Sequence, residues 1–301
     1  MKNAIVFGAT GYIGRALVEK LLLEDVKVLA IGRKKECCVK HDNFKYVAID
    51  NDLEIFFEQL LKLKYDYENA VFYNAAWSGL DRLTNGEIQD QLNNVIMSSK
   101  AIKFAAKFNC SKFINIGSQE ESIFNYFVNT DDWKTISYTS SPIYYAGAKF
   151  ANMEMLKLLA YLEKIDFINT RFSIVIDISL SGVSFVSKSL KEILNGGEPQ
   201  NIKNTQPCEI ILLDELVESY YQIGKFGTNK ADYYLGTGKP DILANYLSSF
   251  YHYKTNTKKY TQMKLKFDKK LLDTFDPSSL YEDTNFCFRK DFSQVMQEIL
   301  E

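Results

Sequence analysis

Histidine is almost missing: the 301-residue chain holds only His41 and His252. That supply is too thin for a histidine-based metal site or a nucleophile–histidine–acid mechanism, and both are expected at the surface or partly buried. The cysteines, Cys37, Cys38, Cys110, Cys208 and Cys287, form an odd set without a Cys-x-x-Cys pair. Neither a disulfide framework nor a zinc site is indicated, and no metal is expected. No apolar stretch reaches the length of a membrane span, and the first residues pass straight into a strand pattern without a signal-peptide profile. A cytoplasmic protein with no membrane partner is expected. Basic surplus is missing too. The net charge is -2, the pI is near 5.9, and the densest basic cluster is the short Arg33-Lys34-Lys35, which argues against a nucleic-acid partner. No internal repeat or low-complexity tract is found.

What the chain does have is alternation. Strand-like apolar runs at 3–7, 26–31, 45–49, 70–75, 112–117 and 166–174 are separated by helix-period segments at 12–23, 52–63, 86–108 and 144–163. This is the pattern of βαβ units, and right-handed crossovers make it an α/β, Rossmann-type doubly wound parallel sheet whose ligand sits at the carboxyl ends of the strands. The Ser-, Thr- and Asp-rich segment 119–140 reads as a loop near that crevice. After residue 175 the rhythm weakens, and Gly196-Gly197-Glu198-Pro199 and Gly236-Thr-Gly238-Lys-Pro240 punctuate shorter elements. The expected division is a dinucleotide-binding domain over 1–175, rejoined by a strand near 232–236, and a smaller substrate-binding lobe over 176–301. The charged, aromatic stretch 251–292 carries no chemistry that can be assigned.

Gly8-Ala-Thr-Gly11-Tyr-Ile-Gly14 follows the run Ala4-Ile5-Val6-Phe7 and opens a helix-period segment. Glycines let a turn tighten after a strand and let backbone N–H groups approach a pyrophosphate at the positive end of the next helix. The spacing is Gly-x-x-Gly-x-x-Gly, one residue longer between the first two glycines than the commonest fingerprint. Alone, such a run also fits an ordinary strand–turn–helix.

Tyr145-Ala-Gly-Ala-Lys149 puts a phenol and an ammonium on one face of a helix. A nearby ammonium favours phenolate, so the pair can move a proton near neutrality. Upstream, the strand ending at Gly117 presents Ser118, whose hydroxyl could hold the oxygen that Tyr145 protonates. A lone Tyr-x-x-x-Lys is weak because both residues are abundant here. Its place, opening the helix after the strand that carries Ser118 and downstream of the glycine cradle, gives it weight.

With these residues the chain resembles the extended branch of the short-chain dehydrogenase/reductase superfamily, which acts on nucleotide sugars. The resemblance implies that Gly8, Thr10, Gly11, Tyr12, Ile13 and Gly14 cradle a nicotinamide dinucleotide, that Asp50 contacts its adenine, and that Ala75 and Ala76 lie beside it. It further implies Tyr145 as general acid/base, Lys149 holding the nicotinamide ribose and assisting Tyr145, Ser118 orienting the substrate oxygen, and Asn94 supporting a water relay. A homodimer through the 86–108 and 144–163 helices is implied in the same way. The chain departs from the family where Arg-x-x-Asn-x-Tyr-Gly-Pro is usual: it reads Arg171-Phe-Ser-Ile174-Val-Ile-Asp177-Ile178. The second-lobe arginine expected ahead of Asp214 is also missing, with Cys208-Glu209-Ile210 in its neighbourhood.

The second strand ends at Gly32-Arg33-Lys34, where members that prefer NAD usually show an acid for the ribose 2′-hydroxyl. Arg33 would pair with a 2′-phosphate instead, so NADP(H) is favoured over NAD(H). The expected reaction is therefore NADPH-dependent reduction of a keto-sugar, most simply a nucleotide-linked one. The alternative is a redox-neutral, NAD-dependent nucleotide-sugar epimerase or 4,6-dehydratase. Glu120, two positions past Ser118, would then be its extra acid/base, while Glu121 matches the glutamate of some reductase-like relatives. A third reading is a non-catalytic cofactor-binding protein.

Overall fold

The computed structural model describes all residues except 38, 51, 64–65, 80–86, 131–142 and 257–262. Strands β1 (Asn3–Phe7), β2 (Lys27–Gly32), β3 (Phe44–Ala48), β4 (Val71–Asn74), β5 (Lys112–Ile116) and β6 (Asp166–Arg171) alternate with helices α1 (Tyr12–Leu23), α2 (Leu53–Lys62), α3 (Ile88–Lys107), α4 (Gln119–Val128) and α5 (Ile143–Glu163). Beyond them come β7 (Ile174–Ile176), α6 (Phe185–Leu194), β8 (Pro207–Cys208), β9 (Ile210–Leu212), α7 (Leu213–Phe226), β10 (Asp232–Tyr234), β11 (Asp241–Ile242), α8 (Leu243–Thr255), α9 (Lys269–Leu272), α10 (Ser278–Thr284) and α11 (Phe292–Leu300).

Seven strands form one parallel sheet in the order β10-β6-β5-β4-β1-β2-β3. The order reverses between β1 and β4, and a doubly wound sheet opens its ligand crevice at such a switch point. Helices cover both faces, which is why β1 reads as an unbroken apolar run: Ala4, Ile5, Val6 and Phe7 are all buried. One face packs on α1 and α7 through Leu17, Leu21, Tyr220 and Ile223. The other packs on α2, α3 and α5 through an aromatic layer in which Phe57 stacks on Phe104 at 4.4 Å and Phe72 on Phe113 at 5.0 Å. Burying each such ring is worth about 1.5–3 kcal/mol. A separate core joins Ile176, Leu190, Ile193, Leu247, Phe250 and Val295 from β7, α6, α8 and α11.

One layer of the sheet is not apolar. Asn74, Asn115 and Asn169 lie in register on β4, β5 and β6, all buried. Asn74 Nδ2 donates to Asn115 Oδ1 (3.2 Å), Asn115 Nδ2 to Asn169 Oδ1 (2.8 Å), and Asn169 Nδ2 to Glu121 Oε1 (2.7 Å) and Asp232 Oδ1 (3.0 Å). Asn152 of α5 joins at Asn115 Oδ1 (3.3 Å).

Two expectations change. The segment expected to be a loop over 119–140 begins as α4: Ser118 caps it by accepting from Glu120 N–H, Glu120 and Glu121 favour its positive end, and Ile123 faces inward. The Ser/Thr/Asp-rich part that prompted the loop reading lies at 130–140, and 131–140 are outside the described residues. The single strand expected over 166–174 divides after Arg171: β6 stays in the main sheet, while β7 leaves it to pair with β9.

Candidate functional site

The crevice at the switch point encloses a cavity of about 450 Å³ lined by Phe7, Gly8, Thr10, Gly11, Gly32, Arg33, Lys34, Ile49, Leu53, Ala75, Ala76, Trp77, Ser78 and Met97. Its phosphate end is made of backbone. Gly8 has φ +88°, and a Cβ there would lie 2.6 Å from Ala76 N. A Cβ on Gly14 would lie 2.2 Å from Gly8 O. Gly11 N–H closes the turn on Gly8 O at 3.0 Å. Gly11 caps α1 without a side chain, and the first turn holds no acid. The N–H groups of that turn and the positive helix end are therefore left to an external anion. These features fit a dinucleotide pyrophosphate.

The resemblance-derived cofactor residues fall into two sets. Gly8, Thr10, Gly11, Arg33, Ala75 and Ala76 line the cavity; Arg33 is exposed at its mouth. Asp50 does not line it; its neighbour Ile49 does, with Leu53 and Met97 as apolar walls that the sequence reading did not single out. Tyr12, in the cradle, turns its hydroxyl outward to Asp177 Oδ2 at 2.6 Å. Asp177 also accepts from Ser179 Oγ, Ser181 N–H and Ser181 Oγ. Burial pushes its carboxyl upward, but the hydrogen bonds from Ser179, Tyr12 and Ser181 outweigh it and hold it well below the usual carboxylate range. The residue that departs from the family's Gly-Pro thus spans from the second-lobe segment to the cradle.

At the other end of the crevice side chains take over. Lys149, 5 % exposed, donates from Nζ to Ile116 O at 2.9 Å, which ties α5 to the end of β5 two residues before Ser118. Its Nζ is 5.8 Å from the centroid of the Tyr145 ring. Ser118 Oγ accepts from Glu120 N–H at 3.3 Å, a use that leaves the hydroxyl proton able to donate to a substrate oxygen. Trp77, three residues past β4, lies against both: Lys149 Nζ sits 3.9 Å from the indole centroid, and the Tyr145 ring meets it edge-on at 5.9 Å and 85°. Residue-type patterns gave no signal for Trp77 beyond its place just after Ala75-Ala76.

Asn94 is buried on α3 and bound to the segment after β4. Its Oδ1 accepts from Ser78 N–H (2.7 Å) and Ser78 Oγ (3.0 Å), and its Nδ2 donates to Ser78 O and Asp90 O (both 3.0 Å). These four bonds hold the chain at Ser78 against α3. Glu121 is also structural in place: it is buried beneath Gly117, with Oε1 on Asn169. Glu120 is only partly buried, and its charge adds to burial in pushing the Cys208 thiol up. Arg171 joins β6 to Asp232, Gln119 and Thr274. Glu209, where the second-lobe arginine was sought, accepts from Tyr234 Oη (2.7 Å) and Thr237 N–H (2.6 Å) and so fixes the 236–238 turn. Among the described residues no cluster of His, Cys, Asp and Glu could hold a metal ion, and no helix is long and apolar enough to cross a membrane.

A model of the NAD dependent epimerase/dehydratase family matches residues 4–197. None of the curated proteins matches the chain in sequence. Among solved structures, UDP-N-acetylglucosamine 4-epimerase from Bacillus cereus superposes with a TM-score of 0.70 at 15% identity, over 99% of this chain and 95% of that one. UDP-glucose 4-epimerase from Thermotoga maritima, solved with UDP-glucose, gives 0.72 at 18% identity over 99% and 97%. The Bordetella bronchiseptica enzyme WbmF, solved with NAD+ and UDP, gives 0.72 at 15% identity over 99% and 91%.

Proposed function

The chain belongs to the NAD dependent epimerase/dehydratase family of extended short-chain dehydrogenases/reductases, and from that premise we propose that it is a redox-neutral, NAD-dependent epimerase or dehydratase of a nucleotide-linked sugar. One observation carries the chemistry: Lys149, one turn after Tyr145 on α5, donates to Ile116 O two residues before Ser118, and both side chains meet Trp77 in the lining of a crevice whose other end is an uncapped helix N-terminus. Gly8, Gly11 and the first turn of α1 would hold the pyrophosphate, and Ala75, Ala76 and Trp77 would border the nicotinamide half. The nicotinamide, when bound, supplies reversible hydride acceptance. Tyr145 Oη takes the proton of a substrate hydroxyl, Ser118 Oγ holds that oxygen, and the Lys149 ammonium stabilises the phenolate. Glu120, partly buried two residues past Ser118, would be the extra acid/base a dehydratase needs.

The preference for NADPH-dependent reduction drawn from Arg33 gives way here, because the family and the NAD-bound relatives favour the redox-neutral reading. Reduction stays as the second reading on one observation, the exposed Arg33 and Lys34 at the cavity mouth, which suit a 2′-phosphate. Residues 1–175 with β10 form the proposed cofactor domain, and 176–301 the proposed substrate lobe. Ile88, Leu92 and Ile96 of α3 and Met155, Leu158 and Leu162 of α5 are exposed, and a second copy covers this face in the proposed homodimer.

The test is to denature the purified protein, identify any released nucleotide, and follow a panel of nucleotide sugars by NMR. The expected result is NAD and an isomerised or dehydrated product with no net change in nicotinamide absorbance. Consumption of NADPH with a keto-sugar would replace this reading by the second.

A further inference from the structure

The buried Lys149 ammonium donates to Ile116 O and acts on the buried Glu121 carboxyl, and the nature of each further partner has electrostatic consequences. A carboxylate would hold it well but would cancel the positive potential at Tyr145 and repel a phenolate. The face of an aromatic ring attracts a cation through its quadrupole while bringing no net charge. Here the indole of Trp77 lies 3.9 Å from Lys149 Nζ. The indole is itself fixed from behind: Nε1 donates to Oε1 of Gln91 at 3.0 Å, and Gln91 is 1 % exposed. One turn further along α3, Asn94 grips Ser78, the next residue. The tryptophan is thus set by two buried amides of α3, and its ring stands edge-on to Tyr145.

We propose that Trp77 is a positioning residue for the proton-transferring pair, its face carrying the Lys149 ammonium toward Tyr145 without neutralising it and its rigid mounting on Gln91 fixing the distance between the two. The proposal rests on the catalytic reading of Tyr145 and Lys149. It assigns the loop after β4 a part in setting the protonation of α5, and it makes Gln91 a supporting residue of the same device.

The chain has two tryptophans, Trp77 and Trp133, so Trp133→Phe leaves Trp77 as the only indole and its emission can be followed against pH without substrate. Ionisation of a phenol in ring contact quenches indole emission, so a transition is expected that disappears in Tyr145→Phe and moves to higher pH in Lys149→Met. In the parent protein, Trp77→Leu removes the ring face. It is expected to raise the acid limb of the pH–rate profile by about one pH unit, since an opposite charge at this range shifts a titration by that order. Turnover at saturating dinucleotide should fall about ten-fold for the same reason; saturation is needed because Trp77 also lines the cofactor cavity. Trp77→Phe, which keeps a face but loses the bond to Gln91, is expected to recover part of both effects. If Trp77→Leu lowers thermal stability yet leaves the acid limb in place, or if the emission transition survives in Tyr145→Phe, the positioning role is overturned. Failure of the underlying catalytic reading is distinguishable: it would show as retained turnover in Tyr145→Phe.

Discussion

At the proposed phosphate end of the crevice the chain presents backbone; at the proposed proton-transfer end it presents side chains. The first end is built by residues 7–14, where Gly8 and Gly14 pack main chain on main chain. The second draws on the loop after β4, the end of β5 and the start of α5, so Trp77, Ser118, Tyr145 and Lys149 come together only when the sheet has formed. The contrast teaches where each kind of damage should fall. A local backbone site tolerates almost no added atom but needs little from the rest of the chain, whereas a side-chain site tolerates size changes and fails when one functional atom is removed.

The sharpest way to break the comparison is Gly14→Ala. Its Cβ would meet Gly8 O at 2.2 Å, and no side chain is there to yield. Dinucleotide titration should show binding lost, with melting temperature lowered as well; normal affinity would mean that the cradle is not the phosphate site. Next in size, Tyr145→Phe should cut turnover by about 10²–10⁴-fold while leaving dinucleotide affinity nearly intact, the mirror image of the glycine variant. Activity assays paired with calorimetry decide it.

A smaller effect lies beneath both ends. Burial pushes the Glu121 carboxyl up to about 8, against the lowering influence of the Asn169 hydrogen bond, Lys149 and Arg171; Asp232 adds to the rise. Between its ordinary value of 4.5 and about 8 the folded chain keeps this proton while the unfolded chain has released it. The stability it contributes is therefore full below 4.5 and is lost as pH rises to about 8. Glu121→Gln should flatten the fall in melting temperature across that window, and an unchanged slope would show that another group is responsible. Smallest of all, Arg33→Ala should change NAD affinity by less than about two-fold, because an exposed cation contributes little unless a matching charge is present. A large loss confined to NADP would favour the reductase reading.

The same contrast explains what could be read from the sequence. β1 and α1 were legible because apolar period, glycine spacing and turn are local and contiguous. Ser118, Tyr145 and Lys149 were legible as residue types. The clamp made by Asn94 on Ser78 was not, since its meaning depends on which loop lies within reach of α3. Trp77 was missed for the same reason. The strand-like pattern from 166 to 174 could not show that the chain leaves one sheet for another after Arg171, because both strands are short and mostly buried. α4 was obscured by its polar first turn, which is the composition expected of a capped helix start as well as of a loop.

The row of asparagines has a bearing on how the sheet assembles. Parallel strands are joined through long crossovers, so their alignment is found late and at high entropic cost. Apolar strands buried on both faces offer few marks to distinguish one alignment from the next. Asn74, Asn115 and Asn169 supply such marks: sliding any one strand by a residue would turn its amide to the opposite face and strand its neighbours' polar atoms in an apolar interior. At about 1–3 kcal/mol for each unsatisfied group, misaligned pairings of β4, β5 and β6 are penalised, and these three strands select one another's register.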